Sequence, residues 1–262
     1  MASETTSRIV SVIASLPVEH ATFGLGGRQR DYTGASLLAY AQAAGLLDAP
    51  SIEHGYFVIT ASDGARITVG LAEADPSVSP RPILLATTQD GEALRVGVRL
   101  VVAREGTRSL LGVTGIEYHT AHAGALGTPA SAVAIGGDLR APGRHGLDGH
   151  ESHSVTTEQG DGAIAWSGVP LHDLLADAGM FTMRDGEELA QLIVVVTSDD
   201  GSYVVLAASE VGPEYHQAAV LLASERDGST LGDDGPLCLV VPYDRTSARR
   251  LARVVSVSLR TG

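Results

Sequence analysis

The sequence predicts an α+β fold laid down twice in tandem, each copy β-rich with one or two short helices. Three observations predict it. The chain matches itself in order, 32–46 with 166–180, 57–76 with 194–213, 83–94 with 220–231 and 99–103 with 238–242, while the offset drifts only from 134 to 139. Each copy holds one short apolar helix between glycines, and each holds strand-forming runs joined by Asp-Gly pairs. A repeat of roughly 120 residues is an ordinary domain size, so the copies are expected at 1–120 and 131–262.

Taken in order, each copy begins its helix after Gly34 or Gly168. Leu37, Leu38 and Ala41 in one copy, and Leu171, Leu174 and Leu175 in the other, stand at helical spacing, and Gly45 and Gly179 fall where helices stop. Two strands around a turn follow, FVIT and ARITV in the first copy, VVVT and SYVVL in the second. The Asp-Gly pairs 63–64 and 200–201 between them supply the positive φ that tight hairpins demand. A strand ILLAT or VLLAS, another Asp-Gly turn, a strand RLVVA or CLVVP and a terminal strand LGVTGIEY or ARVVSVSL complete the copy. Residues 121–164, rich in Gly, Ala and His, contain the junction.

Composition narrows the chemistry. With 262 residues, 44% of them hydrophobic, the chain can bury a sizeable core. A formal net charge of −13, with no basic run interleaved with aromatics, argues against nucleic acid and anionic membrane as partners. No apolar stretch approaches the ~18 residues of a membrane span. IVSVIASL near the start, with Glu4 ahead of it and no basic leader, is a poor signal peptide. All 18 basic residues are arginines, so a lysine-dependent phosphate loop or Schiff base is excluded. Asparagine is absent as well, which removes N-glycosylation and Cys-His-Asn catalysis. The single Cys238 cannot form an intrachain disulfide, and a cytoplasmic address follows as the default expectation.

GAIAWSGVPLHDLLADAG at 162–179, VVVTSDDGSYVVLAASE at 194–210, VLLASERDG at 220–228 and GPLCLVVP at 235–242 form an ordered set. As a set they resemble the oxidoreductase molybdopterin-binding domain of the sulfite oxidase family, and the first half joins through its match to the second. The resemblance implies a sulfite-oxidase-type molybdopterin-binding fold in both copies, with molybdenum held by a cysteine thiolate on the strand before the helix. Those strands are here ATFGLGG at 21–27 and SVTTEQG at 154–160. Gly24 and Thr157 stand at the ligand position, within a residue or two, and neither supplies the soft sulfur. Cys238 aligns with Arg99 instead and reads as a small core residue. An anionic pterin calls for arginine forks; Arg99, Arg245 and Arg249 are the candidate cofactor-binding residues, with Arg250 beside them.

Five of the nine histidines crowd into 119–153. His119 and His122 form one His-x-x-His pair, His150 and His153 another, and His145 lies between. At that spacing two imidazoles share a face if the backbone is helical or tightly turned, so His119, His122, His150 and His153 are the candidate ligands of a divalent metal such as zinc, with Asp148 and Glu151 as added oxygens. His20 and His153 each open the strand leading to the helix of their copy. His216, after Pro213, reads as a loop residue. No Gly-x-Ser-x-Gly elbow supports a serine triad. The sequence thus points to a molybdopterin-binding-domain-like protein that has lost thiolate-ligated redox chemistry and binds a small molecule or metal, in the old cleft or between the repeats. Molybdopterin itself is the less favoured cofactor. An oxidoreductase with a non-cysteine metal–pterin, a histidine-ligated metal-dependent enzyme and a structural module are the alternatives, with homo-oligomer formation left open.

Overall fold

The computed structural model describes residues 2–25, 28–47, 50–102, 108–137, 139–159, 162–180, 186–212 and 218–262. Contacts divide the chain into two units, Met1–Ser51 with Gly55–Thr120, and Ile52–His54 with Ala121–Gly262. The first unit runs α1 (Ala2–Ile13), β1 (Glu19–Leu25), β2 (Arg28–Ser36), α2 (Leu37–Ala43), β3 (Gly55–Ala61), β4 (Arg66–Gly70), α3 (Leu71–Ala74), β5 (Ile83–Gln89), β6 (Glu92–Ala93), β7 (Arg99–Val102), β8 (Leu110–Leu111) and β9 (Val113–Thr120). One antiparallel sheet has the order β1-β2-β5-β7-β8 with β6 beside β5, and a second has the order β4-β3-β9.

The second unit opens with a hairpin the first lacks, β10 (Ala132–Gly137) and β11 (Gly143–Gly146). It continues with β12 (His153–Gln159), β13 (Gly162–Pro170), α4 (Leu171–Asp177), α5 (Gly186–Leu189), β14 (Leu192–Ser198), β15 (Tyr203–Ala207), a 3₁₀ turn at Ala208–Val211, β16 (Leu221–Arg226), β17 (Ser229–Thr230), a 3₁₀ turn at Gly232–Asp234, β18 (Cys238–Val240) and β19 (Val254–Thr261). Its sheets have the orders β12-β13-β16-β17, with β18 beside β16, and β11-β10-β19-β14-β15. The β10–β19 pair is parallel.

The units repeat one another in detail. A bulge falls between Thr33 and Gly34 where β2 meets β5, and between Ser167 and Gly168 where β13 meets β16. Another falls at Thr60/Ala61 on β3 and at Thr197/Ser198 on β14. Asp90 (φ 53°) and Asp227 (φ 50°) each sit in the left-handed region that Asp tolerates better than most residues. Each clamps its turn to the neighbouring strand by two bonds. The Asp90 amide donates to the Asp31 carbonyl and the Asp31 amide donates to Oδ1 of Asp90; Asp227 does the same with Ala165.

Side-chain alternation distributes the core. Leu222 and Leu239 point into a cluster with Leu171, Leu174, Val194, Val196 and Leu206, whereas Leu221, Ala223, Cys238 and Val240 face the other way onto Trp166. Strand β14, LIVVVTS, is buried along its whole length, the near-continuous apolar run of a strand covered on both faces.

This architecture corrects the α+β, sulfite-oxidase-type expectation. Each unit is two small sheets, and apart from the twelve-residue α1 the helices are too short to form a layer: α2 and α4 have seven residues each, α3 and α5 four each. The fold is mainly β. The glycine-bracketed apolar segments are helical as their spacing says, but each is only about two turns long, burying Leu37, Tyr40 and Ala41 in one and Leu171, Leu174 and Leu175 in the other. The junction segment holds two strands that the sequence did not announce, β10 and β11, and the stretch IVSVIASL lies largely in α1, with Ile9 and Ile13 buried one turn apart.

Candidate functional site

In the second unit the loop between β17 and β18 leaves the sheet through the 3₁₀ turn at Gly232–Asp234, with Gly232 at φ 58°. It returns at Leu237. Leu231 and Leu237 are both buried, so the ends of the loop are pinned in the core while Gly232, Asp233 and Pro236 between them are exposed. The loop lines one side of an open cavity of about 550 Å³. Its other wall comes from the hairpin the first unit lacks, through Ser131 ahead of β10 and Leu147 and Asp148 after β11. The floor is apolar, from Leu147, Leu231 and Leu237, and Ser131, Ser224, Thr230 and Asp148 bring polar groups to it. Among the described residues Asp148, itself exposed, is the one charged residue of the lining. A concavity of that size, apolar with a few convergent polar groups, has the composition of a small-molecule site, for which volumes of about 300–1,000 Å³ are usual.

The arginines singled out in the sequence are placed otherwise. Arg249 is fully buried, its Nη1 donating to Glu210 at 2.6 Å, its Nε and Nη2 donating to the two carboxylate oxygens of Asp244 at 2.8 and 2.6 Å. Burial pulls the guanidinium pKa down, but the Glu210 and Asp244 carboxylates outweigh burial and leave it above its ordinary value. Arg99 donates from Nε to Ser109 and from Nη1 to Gln89, and its guanidinium lies over the Tyr32 ring. Arg245 is exposed in the loop after β18. Arg250 lies over one side of the Trp166 ring system at 5.7 Å, and Arg226 approaches the same ring at 5.9 Å.

The first unit has the counterpart of the Arg249 arrangement, which the sequence reading missed. Arg108 is buried and forks onto Glu73, Nη1 to Oε1 at 2.6 Å and Nη2 to Oε2 at 2.7 Å. A signal was present: Glu73 and Glu210 fall at matching places in the self-alignment, inside LAEA and ASEV, where an acid in both copies has no reason to stand unless it is partnered.

The four candidate metal ligands do not form one cluster. His119, on β9 of the first unit, stacks on Tyr56 and takes Glu117 at 3.3 Å. In the second unit His122 is exposed and its carbonyl accepts from Arg260, His150 meets Asp177 at 3.2 Å, and His153 is exposed where β12 starts. Glu151 is exposed, and His145 bonds the Ala141 carbonyl. Among the described residues no three His, Cys, Asp or Glu side chains gather as a metal site. His20 and His153 are not equivalent by register: His20 pairs with Thr33, whereas His153 faces Gly168 and Ser154 takes the place of His20. Pro213 and His216 lie outside the described residues.

At the position where the resemblance puts the metal thiolate, Thr157 is buried and its hydroxyl accepts the indole N–H of Trp166 at 2.9 Å. Gly24 has no side chain to offer. Burial pushes the Cys238 thiol up to about 12, so it is no thiolate at neutral pH. These residues do not fit a thiolate-held metal–pterin. No known family model and no curated protein matches the chain. Among the described residues no helix is long and apolar enough to cross a membrane.

Proposed function

We propose that the protein is a small-molecule-binding module whose ligand enters the cavity beside the β17–β18 loop and carries an amine. The lining of that cavity is the observation that supports this reading. The apolar lining favours a compact hydrocarbon body, the hydroxyls of Ser131, Ser224 and Thr230 suit polar substituents, and the carboxylate of Asp148 selects for a positive charge. Among the described residues no histidine, cysteine or arginine lines the cavity, and the reading rests on its apolar, hydroxyl and carboxylate contacts.

Titration with cyclohexylammonium, followed by amide NMR, tests the reading. Saturable shifts are expected at Ser131, Thr230 and Leu237, and Asp148→Asn should weaken binding about tenfold, since a hydrogen bond to a charged group contributes roughly 1.5–3 kcal/mol. Shifts that do not saturate, or an unchanged affinity in Asp148→Asn, would overturn it.

A further inference from the structure

The first unit carries a groove of its own, of about 630 Å³, that shares one wall by descent with the cavity above. That wall is the loop from β6 to β7: Ala86 pairs with Arg99 as Ala223 pairs with Cys238, which makes the chain just before Arg99 the counterpart of the chain just before Cys238. The opposite wall differs. In place of the β10–β11 hairpin stands α1, which buries Ile9 and Ile13 and turns the adjacent i, i+4 rows, Thr6 with Val10 and Ser7 with Ser11, to the groove. Ser62 and Thr114 add hydroxyls from the start of the β3–β4 turn and from β9.

The charge is reversed. Among the described residues Arg95 is the one charged residue of this lining, as Asp148 is of the other. Arg95 is exposed, and among the described residues no carboxylate takes up its guanidinium. Beside it Val96 leaves 46% of its surface open, apolar surface next to the cation. Two of the groove's residues, Val10 and Val96, can cover a hydrocarbon body while Arg95 receives an acid group and the hydroxyls of Ser11, Ser62 and Thr114 take further polar atoms.

We infer that the first unit carries a binding site of its own, selective for a small carboxylate. The inference does not depend on the amine reading of the second unit. The probes are cyclohexanecarboxylate and cyclohexylammonium, equal in shape and opposite in charge, added separately to the full chain and read by amide NMR. Cyclohexanecarboxylate is expected to shift Val96, Gly97 and Thr114 saturably, with cyclohexylammonium leaving them in place. Arg95→Gln should weaken the carboxylate about tenfold and Arg95→Glu should abolish its binding, while Asp148→Asn leaves it unchanged. Equal shifts from both probes, or an Arg95→Glu variant that binds the carboxylate as well as the parent, would overturn the inference. Failure of the ammonium probe at Ser131 and Leu237 would bear only on the second unit.

Discussion

Glu73 and Arg108 show how much one residue pair can decide. Both are buried, and the guanidinium fork satisfies both carboxylate oxygens while its Nη2 also reaches the Thr68 carbonyl at 3.2 Å. Two ions taken out of water together cost much of what their attraction returns, so the pair adds little net stability, but breaking it strands a charge. Arg108→Met should therefore lose about 3–5 kcal/mol, a large share of the 5–15 kcal/mol typical of a domain. Urea denaturation measures this, and Glu73→Leu added to Arg108→Met should recover most of the loss because no ion is then left behind. A single variant as stable as the parent would show that the pair is solvated. The same logic applies to Arg249, though there Asp244 remains as a second carboxylate and a two-residue rescue would be incomplete. It also explains why Arg249 is no anchor for an anionic ligand: both faces of its fork are taken.

At the scale of the elements, β2 and β13 are built around Gly34 and Gly168, where the bulge brings the neighbouring strand close. A Cβ on Gly168 would overlap the Leu222 carbonyl and the Ala223 backbone, and one on Gly34 would overlap Leu85 and Ala86 in the same way. Because the obstacle is backbone at the centre of a sheet, it cannot swing aside. Gly168→Ala should cost about 3 kcal/mol, at the upper end of overpacking in a core, whereas Gly162→Ala in the same strand meets nothing within 4 Å and should be close to neutral. Thermal unfolding of the two variants side by side decides it, and equal midpoints would refute the close approach. Both glycines were visible in the sequence as helix-start signals, but their packing role was not, since it depends on a strand more than fifty residues away. What was legible is what is local: the Asp-Gly turns, the left-handed Gly45 (φ 67°) and Gly179 (φ 90°) at the helix ends, and the apolar strands. Arg108 and Glu73 are 35 residues apart, and the cavity wall formed by Ser131 and Asp148 comes from the Gly-, Ala- and His-rich junction segment. Neither had a local pattern to announce it.

For the whole molecule the question is whether a resemblance in order of motifs carries the chemistry of a family with it. The motifs that resemble the molybdopterin-binding domain are a helix start, two turns and a strand, all features of backbone. The features that would hold metal and pterin are side chains, and apart from the exposed Arg245 those singled out are replaced or occupied. Thr157 is tied to Trp166 at the thiolate position, Gly24 has no donor, Cys238 is buried as a neutral thiol, Arg249 is locked by Glu210 and Asp244, and Arg99 is bonded to Ser109 and Gln89. A net charge of −13 adds a general repulsion toward an anionic cofactor, screened only within about 8–10 Å at physiological salt. Protein produced in cells that make the cofactor should therefore purify with molybdenum and tungsten far below one atom per chain, and denaturation should release no stoichiometric pterin fluorescence. Elemental analysis and fluorescence of the acid-denatured protein make the two measurements independent of each other. One metal atom together with one pterin per chain would mean that oxygen or nitrogen donors hold the centre, and the amine and carboxylate sites would then have to be re-examined as approaches to it.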